Sequence, residues 1–435
     1  MFWEKDIETM PVPQLREVQL IRLRKTIDRA LQTPYYGEMF KKLHLSSNQI
    51  KSLDDLKRIP YTTKEDLRGH FPYGFLAVPR EEVVRLHSSS GTTGNPTVIY
   101  HTRRDVDGWA NLVARCMYMT GVRKTDVFQN MMGYGLFTGG LGLHYGAEKL
   151  GVLTIPAGSG NSRRQIMLMR TFDTTVIHII PSYALKLVSV FEDMGLAPRN
   201  DVHLRIAFIG AEPHSEAIRR RIEEIYGLDA FNSYGLSEMN GPGVAFECPQ
   251  KDGMHVWEDA YILEVINPQT LEPVPDGEEG ELVFTTLGRQ ATPLLRYRTR
   301  DLACVYTEPC PCGRTHRRIS RIKGRTDDMF IVKGVNIFPI QVERVLMSIP
   351  EVGNNYVIVL KRRGPMDEMI VQIEVQSSIL QDGIRHLEHL QDRIARALRD
   401  EILITPKVEL VEPGSLPSTE GKAVRVIDHR TMYGG

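Results

Sequence analysis

Thr175-Val176-Ile177-His178-Ile179-Ile180, then Leu204-Arg205-Ile206-Ala207-Phe208-Ile209-Gly210, then the segment from Ser215 to Tyr226 with Gly227 behind it, decide the fold. The first two are short apolar runs of strand length. The third reads as a helix, with Ser215 in the N-cap position and Gly227 as its stop. The same alternation begins earlier, with Gly151-Val152-Leu153-Thr154-Ile155 followed by a helical pattern through Met167 and Met169. Strands and helices alternating from about Val83 to Gly227 predict a doubly wound, mainly parallel sheet. Ligands of such a sheet sit beyond the C-terminal ends of its strands.

Outward from this core the pattern changes twice. Between Met254 and Val305, Tyr261 to Ile266, the pair Asp276-Gly277, and Glu281 to Thr285 read as strands joined by turns, an antiparallel β subdomain. After Gly324-Arg325-Thr326-Asp327 a smaller α/β unit begins. Its clearest helix carries Ile384, Leu387, Leu390, Ile394, Leu398 and Ile402 at helical spacing, and a strand from Val408 to Val411 follows. The first eighty residues are helical and mixed, with an apolar stripe of Leu15, Val18, Leu20, Ile21, Leu23 and Ile27 ending before Pro34, and read as a wrapping segment. The expected architecture is α/β, with a large N-terminal domain over 1–326 and a small C-terminal domain over 327–435.

Composition narrows the function classes. A chain of 435 residues exceeds a single ordinary core, and 42% hydrophobic with 25% charged residues is globular rather than disordered. Basic and acidic residues number 54 each, so zero net charge argues against a surface for nucleic acid or anionic membrane. No run approaches a membrane span, and the polar start from Met1 to Asp6 carries no signal peptide pattern. Five cysteines are an odd number and make no disulfide framework, which points to a reducing compartment and a cytoplasmic protein.

Three segments offer chemistry. Ser88-Ser89-Ser90-Gly91-Thr92-Thr93-Gly94-Asn95-Pro96 combines glycines with hydroxyls that can wrap phosphate oxygens, and it lacks the spacing of a Walker A loop. Asn232-Ser233-Tyr234-Gly235-Leu236-Ser237-Glu238 offers an aromatic face for a base and a carboxylate for Mg²⁺. In Arg296-Tyr297-Arg298-Thr299-Arg300-Asp301 the acceptor-only carboxylate suits two ribose hydroxyls. Each segment alone also reads as an ordinary surface turn, strand-to-helix loop or salt-bridge cluster.

Together and in this order they resemble the adenylate-forming superfamily of acyl-CoA synthetases, adenylation domains and luciferases. Cys310-Pro311-Cys312-Gly313-Arg314-Thr315, Gly324 to Met329, and Gly334-Val335-Asn336-Ile337-Phe338-Pro339 bring the resemblance to the phenylacetate-CoA ligase family. The resemblance runs from the Ser88 loop to Lys422. It implies that a carboxylate attacks the α-phosphate of ATP, giving acyl-adenylate and pyrophosphate, and that a thiol then displaces AMP. It also implies roles. Ser90, Thr92 and Thr93 cradle phosphates, Gly210, Ala211, Glu212 and Pro213 line the adenine, and Asn232, Ser233, Tyr234 and Gly235 complete the nucleotide site with Tyr234 stacking on the base. Glu238 coordinates Mg²⁺, Asp301 and Arg325 bind ribose, and Lys422 is the late catalytic lysine. Charge supports that lysine, because adenylation crowds carboxylate and triphosphate together. Asp327, near Gly324, is the pivot of a mobile C-terminal domain, and Gly334, Val335 and Asn336 face the pantetheine of CoA in the second step. The phosphate loop departs from the family at Asn95, where many relatives carry lysine.

Cys310 and Cys312 are too close for a strain-free disulfide, and with Cys248 and His255 they could form a structural Cys₃His zinc site. Cys304 and His316 compete as ligands, and Cys116 reads as core. In Met131 to Gly140, Tyr134 and Phe137 could wall an aryl group, with glycines leaving room for its ring; an ordinary core is the competing reading. Expected partners are the small molecules aryl acid, ATP and CoA; a homodimer stays open. Two other functions remain open: adenylation of an aryl acid for a carrier-protein thiol, and a non-catalytic binder of nucleotide or aryl acid.

Overall fold

The computed structural model describes residues 1–89, 95–363, 366–376, 379, 384–417 and 424–430. Val176–Ile179 and Ile206–Gly210 lie side by side in parallel, with every residue of both strands buried. A continuous apolar run suits a strand covered on both faces, which a parallel sheet with helices on either side provides. Asp229–Leu236 pairs in parallel beyond Ile206–Gly210, and on the other flank come Val127–Asn130 and then Leu153–Ile155.

Glu216–Tyr226 is the helix expected over this sheet. The Ser215 hydroxyl accepts the Ile218 N–H, Gly227 closes the helix at φ 67°, and Ile218, Ile222 and Tyr226 face inward. Burying each such large side chain contributes about 1.5–3 kcal/mol.

The sheet does not stop where its parallel part ends. Asp229–Leu236 turns back at Asn240 (φ 77°) and pairs antiparallel with Gly241–Glu247. The hydrogen-bonded path then continues through Met254–Val256, Arg318–Ile319, Tyr297–Tyr306 and Glu279–Thr286 to Tyr261–Ile266. The antiparallel strands are as expected, but they extend the parallel sheet instead of standing apart from it. The reversal depends on Gly235 and Gly241 passing in contact: a Cβ at Gly235 would lie 1.6 Å from the Gly241 carbonyl oxygen.

The N-terminal helix Val12–Ala30 buries Leu15, Leu23 and Ile27, and Leu23 and Ile27 share a core with Trp109 and Trp257. The C-terminal unit is a mixed sheet in the order Lys407–Val411, Met366–Val375, Val352–Arg363, Val426–Asp428. The helices Pro339–Leu346 and Ile384–Ile402 accompany it, the second burying Leu390, Ile394, Leu398 and Ile402. One apolar cluster contains Ile179 and Ile209 of the parallel sheet together with Val342, Leu346 and Tyr356 of the C-terminal unit. Among the described residues no helix is long and apolar enough to cross a membrane.

Candidate active site and metal centre

Parallel pairing sets Gly210 opposite Ser233, so the two segments expected at the adenine leave the sheet as neighbours at its C-terminal edge. Gly210 has no room for a side chain: an added Cβ would meet the Ser233 carbonyl oxygen at 2.5 Å. Tyr234 is buried, and its hydroxyl donates to Asp301 Oδ2 at 2.6 Å. Arg325 donates to Asp301 Oδ1 at 2.8 Å and to Asp327 Oδ1 at 2.9 Å. The backbone sets this up, since Asp301 and Arg325 are paired residues on adjacent antiparallel strands. Burial pushes the Asp301 carboxyl up, and the Arg325 guanidinium opposes it. One connected group thus holds a residue of each of the second and third motifs.

Glu238 is buried in the short turn after Asp229–Leu236. Its carboxylate accepts from Thr97 Oγ1 at 3.4 Å and takes the Tyr297 hydroxyl, while Arg289 donates to its carbonyl at 2.6 Å. Thr97 also bonds Ser89 at 2.5 Å, which brings the edge of the hydroxyl-rich loop beside this carboxylate. Ser90, Thr92 and Thr93 of that loop, and Lys422, lie outside the described residues. Neither Thr97 nor Tyr297 was picked out from sequence as a site residue. Thr97 falls just past the glycine-rich run, and Tyr297 sits inside the arginine-rich segment, so proximity to a motif was the available signal.

Two expected nucleotide residues point their side chains elsewhere. Glu212 accepts the Ser182 N–H at 2.7 Å and so caps the helix Pro181–Asp193. Asn232 is buried: its side chain bonds the Glu247 carboxylate and His214, and its backbone N–H donates to Glu247 as well, at 2.8 Å. A buried amide needs such partners. Ala211 holds a left-handed φ of 67°, and Pro213 is exposed.

The loop after Val127–Asn130 carries Tyr134 and Phe137 along the same edge. Asn130 Nδ2 donates to the Tyr134 hydroxyl at 3.0 Å and to the Gly140 carbonyl at 2.6 Å, and its Oδ1 meets His178 Nδ1 at 3.2 Å. Burial pushes the Tyr134 phenol up to about 12 and His178 down to about 3, so this polar group is uncharged near neutrality. Phe137 is 37% exposed. Gly139 and Gly140 seat the loop, since a Cβ at Gly139 would strike the Phe137 ring at 2.4 Å and one at Gly140 the Gly133 carbonyl at 2.4 Å, whereas nothing lies within 4 Å of a Cβ at Gly135.

In the C-terminal unit, Phe330–Val332 and Val335–Ile337 form a hairpin whose tip is Lys333-Gly334, both at positive φ. Gly334 and Asn336 are exposed and Val335 is half-buried.

Cys248, His255, Cys310 and Cys312 converge, their ligand atoms all within 4.8 Å of one another. The Cys248 and Cys310 sulfurs are 3.7 Å apart, and Cys312 Sγ lies 3.3 Å from His255 Nε2. Zinc bonds of about 2.0–2.3 Å in a tetrahedron put ligand atoms about 3.3–3.8 Å apart, so the donor set fits the ion. His255 donates through Nδ1 to the His316 carbonyl at 3.0 Å, which presents Nε2 to the cluster. His316 spends both nitrogens elsewhere, on the Glu258 N–H and the Ile7 carbonyl, and Cys304 stands outside the group. A hydrogen bond from Cys248, aided by His255, pulls the Cys312 thiol down toward thiolate against the effect of burial. Cys116 is core, buried with the Trp257 N–H directed at its sulfur.

The chain has relatives among known proteins. The family model "AMP-binding enzyme" matches residues 42–288, and "AMP-binding enzyme C-terminal domain" matches 334–430. Phenylacetate-coenzyme A ligase of Thermus thermophilus is 45% identical, the match covering 99% of this chain and 100% of that protein. The Pseudomonas putida phenylacetate-coenzyme A ligase is 44% identical over 98% of this chain and 96% of its own. A crystal structure of 2-hydroxyisobutyryl-CoA ligase in the postadenylation state with 2-HIB-AMP superposes with TM-score 0.93 at 32% identity, covering 99% of this chain and 93% of that one. The same ligase with CoA in its thioesterification state gives 0.73 at 33% identity, covering 99% and 92%. The chain belongs to the AMP-binding enzymes and, among them, to the phenylacetate-coenzyme A ligase family.

Proposed function

We propose that this enzyme joins an arylacetic acid, phenylacetate first among them, to coenzyme A through an acyl-adenylate. A carboxylate oxygen of the acid attacks the α-phosphorus of ATP, and the bond to the departing pyrophosphate breaks. The CoA sulfur then attacks the acyl carbon, AMP leaves, and the thiol proton is lost.

The observation that carries this reading is the Tyr234, Asp301 and Arg325 group beside Glu238 on one sheet edge, in a chain matched nearly end to end by phenylacetate-coenzyme A ligases. In it Asp301 accepts the ribose hydroxyls with Arg325 fixing its carboxylate, and the backbone from Gly210 to Pro213 and the Tyr234 ring flank the adenine. Ser90, Thr92 and Thr93 hold phosphates, and Lys422 meets the charge that develops as the acid attacks. Mg²⁺ at Glu238 supplies further compensation for that charge. Tyr134 and Phe137 border the acyl group.

The unit 327–435 turns about Asp327 between the two steps, bringing Gly334, Val335 and Asn336 to the pantetheine. Zn²⁺ at Cys248, His255, Cys310 and Cys312 is structural, because four protein ligands leave no open position. A reducing cytoplasm keeps those thiols available.

Pyrophosphate release with a panel of aryl and aliphatic acids, with and without CoA, tests the reading when thioester is detected by mass. Phenylacetyl-CoA and pyrophosphate appearing together is the expected result. Adenylate without thioester would point to a carrier-protein acceptor, and no turnover across the panel would leave a binder.

A further inference from the structure

Glu343 belongs to the helix Pro339–Leu346 of the C-terminal unit, yet its carboxylate is spent on the N-terminal one. It is 4% exposed, and its Oε1 accepts the backbone N–H of Ser215 at 2.8 Å. Ser215 is the N-cap of Glu216–Tyr226, so an acidic side chain from one unit caps a helix of the other where helix N–H groups and dipole favour negative charge. Its Oε2 takes the Tyr356 hydroxyl at 3.4 Å. Around it lies the apolar cluster shared by the two units. The whole chain superposes better on the relative in its postadenylation state, TM-score 0.93, than on the same relative in its thioesterification state or in an open conformation, both 0.73.

We propose that Glu343 is a positioning residue: its bond to Ser215 holds the C-terminal unit in the orientation of the first half-reaction and is given up for the second. The inference rests on the two-step reading above. It also couples domain movement to a proton. Glu343 faces Ser215 and Glu212 from the N-terminal unit and Tyr356 and Arg425 from its own, and burial prevails, pushing its carboxyl from the ordinary 4.5 up to about 7. Released to water, it returns toward the ordinary value. The docked orientation therefore binds the proton more tightly, and its advantage is full below about 4.5 and lost as pH rises through about 7.

The two half-reactions are read separately, the first as pyrophosphate release without CoA, the second as thioester formation from supplied phenylacetyl-adenylate. Glu343→Ala is expected to slow the first about tenfold and change the second less than about twofold. Glu343→Gln keeps an oxygen for the Ser215 N–H; it should restore the first step to within about twofold and flatten its pH profile between about 5 and 7.5. Equal slowing of both steps by Glu343→Ala, no slowing, or a wild-type pH profile in Glu343→Gln overturns the proposal. Hydrogen exchange at the Ser215 amide, corrected for its intrinsic rate, separates this from a failure of the chemistry. If no acid releases pyrophosphate, protection lost in Glu343→Ala upholds the contact while the ligase reading falls, and unchanged protection overturns the contact.

Discussion

Asp301 holds a phenol and a guanidinium at once, and the two partners make different demands. Tyr234→Phe removes one hydrogen bond to a buried carboxylate and keeps the ring. It should lower stability by about 1.5–3 kcal/mol by thermal denaturation while leaving the KM for ATP within about threefold. Asp301→Asn keeps the shape but exchanges an acceptor-only carboxylate for an amide. Charge-assisted bonds are the stronger kind, so initial rates should show the KM for ATP raised at least about tenfold. Lys422→Ala should reduce pyrophosphate release about a hundredfold or more, and acyl-adenylate formation within a few-fold of wild type would remove the lysine from the mechanism. At this scale legibility followed motif membership. Glu238 and Asp301 lay in segments whose residue types suit nucleotide chemistry, while Arg325 stood out only through the family resemblance. Thr97 and Tyr297 reach Glu238 through side-chain bonds from segments far along the chain, so only their place beside or inside a motif hinted at them. Glu212 and Asn232 show the converse, since a motif names the segment but the need to satisfy buried polar atoms decides where its side chain points.

Among the elements, the segment around Cys310–Arg318 does the least obvious work. It follows strand Tyr297–Tyr306, supplies two of the cysteines, and then grips the N-terminal segment. Arg314 pairs with Glu8 at 2.7 Å, both side chains 1% exposed or less. Thr315 Oγ1 donates to the Met10 carbonyl at 2.6 Å, and His316 Nε2 to that of Ile7 at 2.9 Å. Metal analysis of protein purified without chelator should find about one zinc per chain. Stripping it should lower Tm by several degrees and speed protease clipping within the first ten residues, because the loop that holds them loses its anchor. Zinc well below one per chain with an unchanged Tm would count against the site. Glu8→Ala, which strands the Arg314 cation in the core, should cost about 3–5 kcal/mol in denaturant unfolding. Sequence grouped Cys248, His255, Cys310 and Cys312 by their chemistry alone, and the structure brings them together; that the same loop anchors residues three hundred positions earlier could not be read from spacing.

For the whole molecule, the layers of the fold were legible because buried strands and helices write their period into the chain, as in Val176–Ile179 and Glu216–Tyr226. The joining of antiparallel to parallel strands in one sheet was not, since it turns on a steric contact between Gly235 and Gly241. Movement of the C-terminal unit is tested at its base. Asp327→Pro, which fixes φ beside the Arg325 bond, should slow thioester formation more than adenylation, and equal slowing would relocate the pivot. The grip of Arg314 on Glu8 has a further consequence, for how the protein is made. The partners stand 306 positions apart, so a ribosome adding about 5–20 residues per second releases Glu8 roughly 15 to 60 s before Arg314 exists. The segment ahead of the helix Val12–Ala30 therefore leaves the exit tunnel with an acidic group it cannot yet bury. Its docking is among the last acts of the N-terminal domain's folding, and a chaperone that holds nascent chains would find its longest opportunity there.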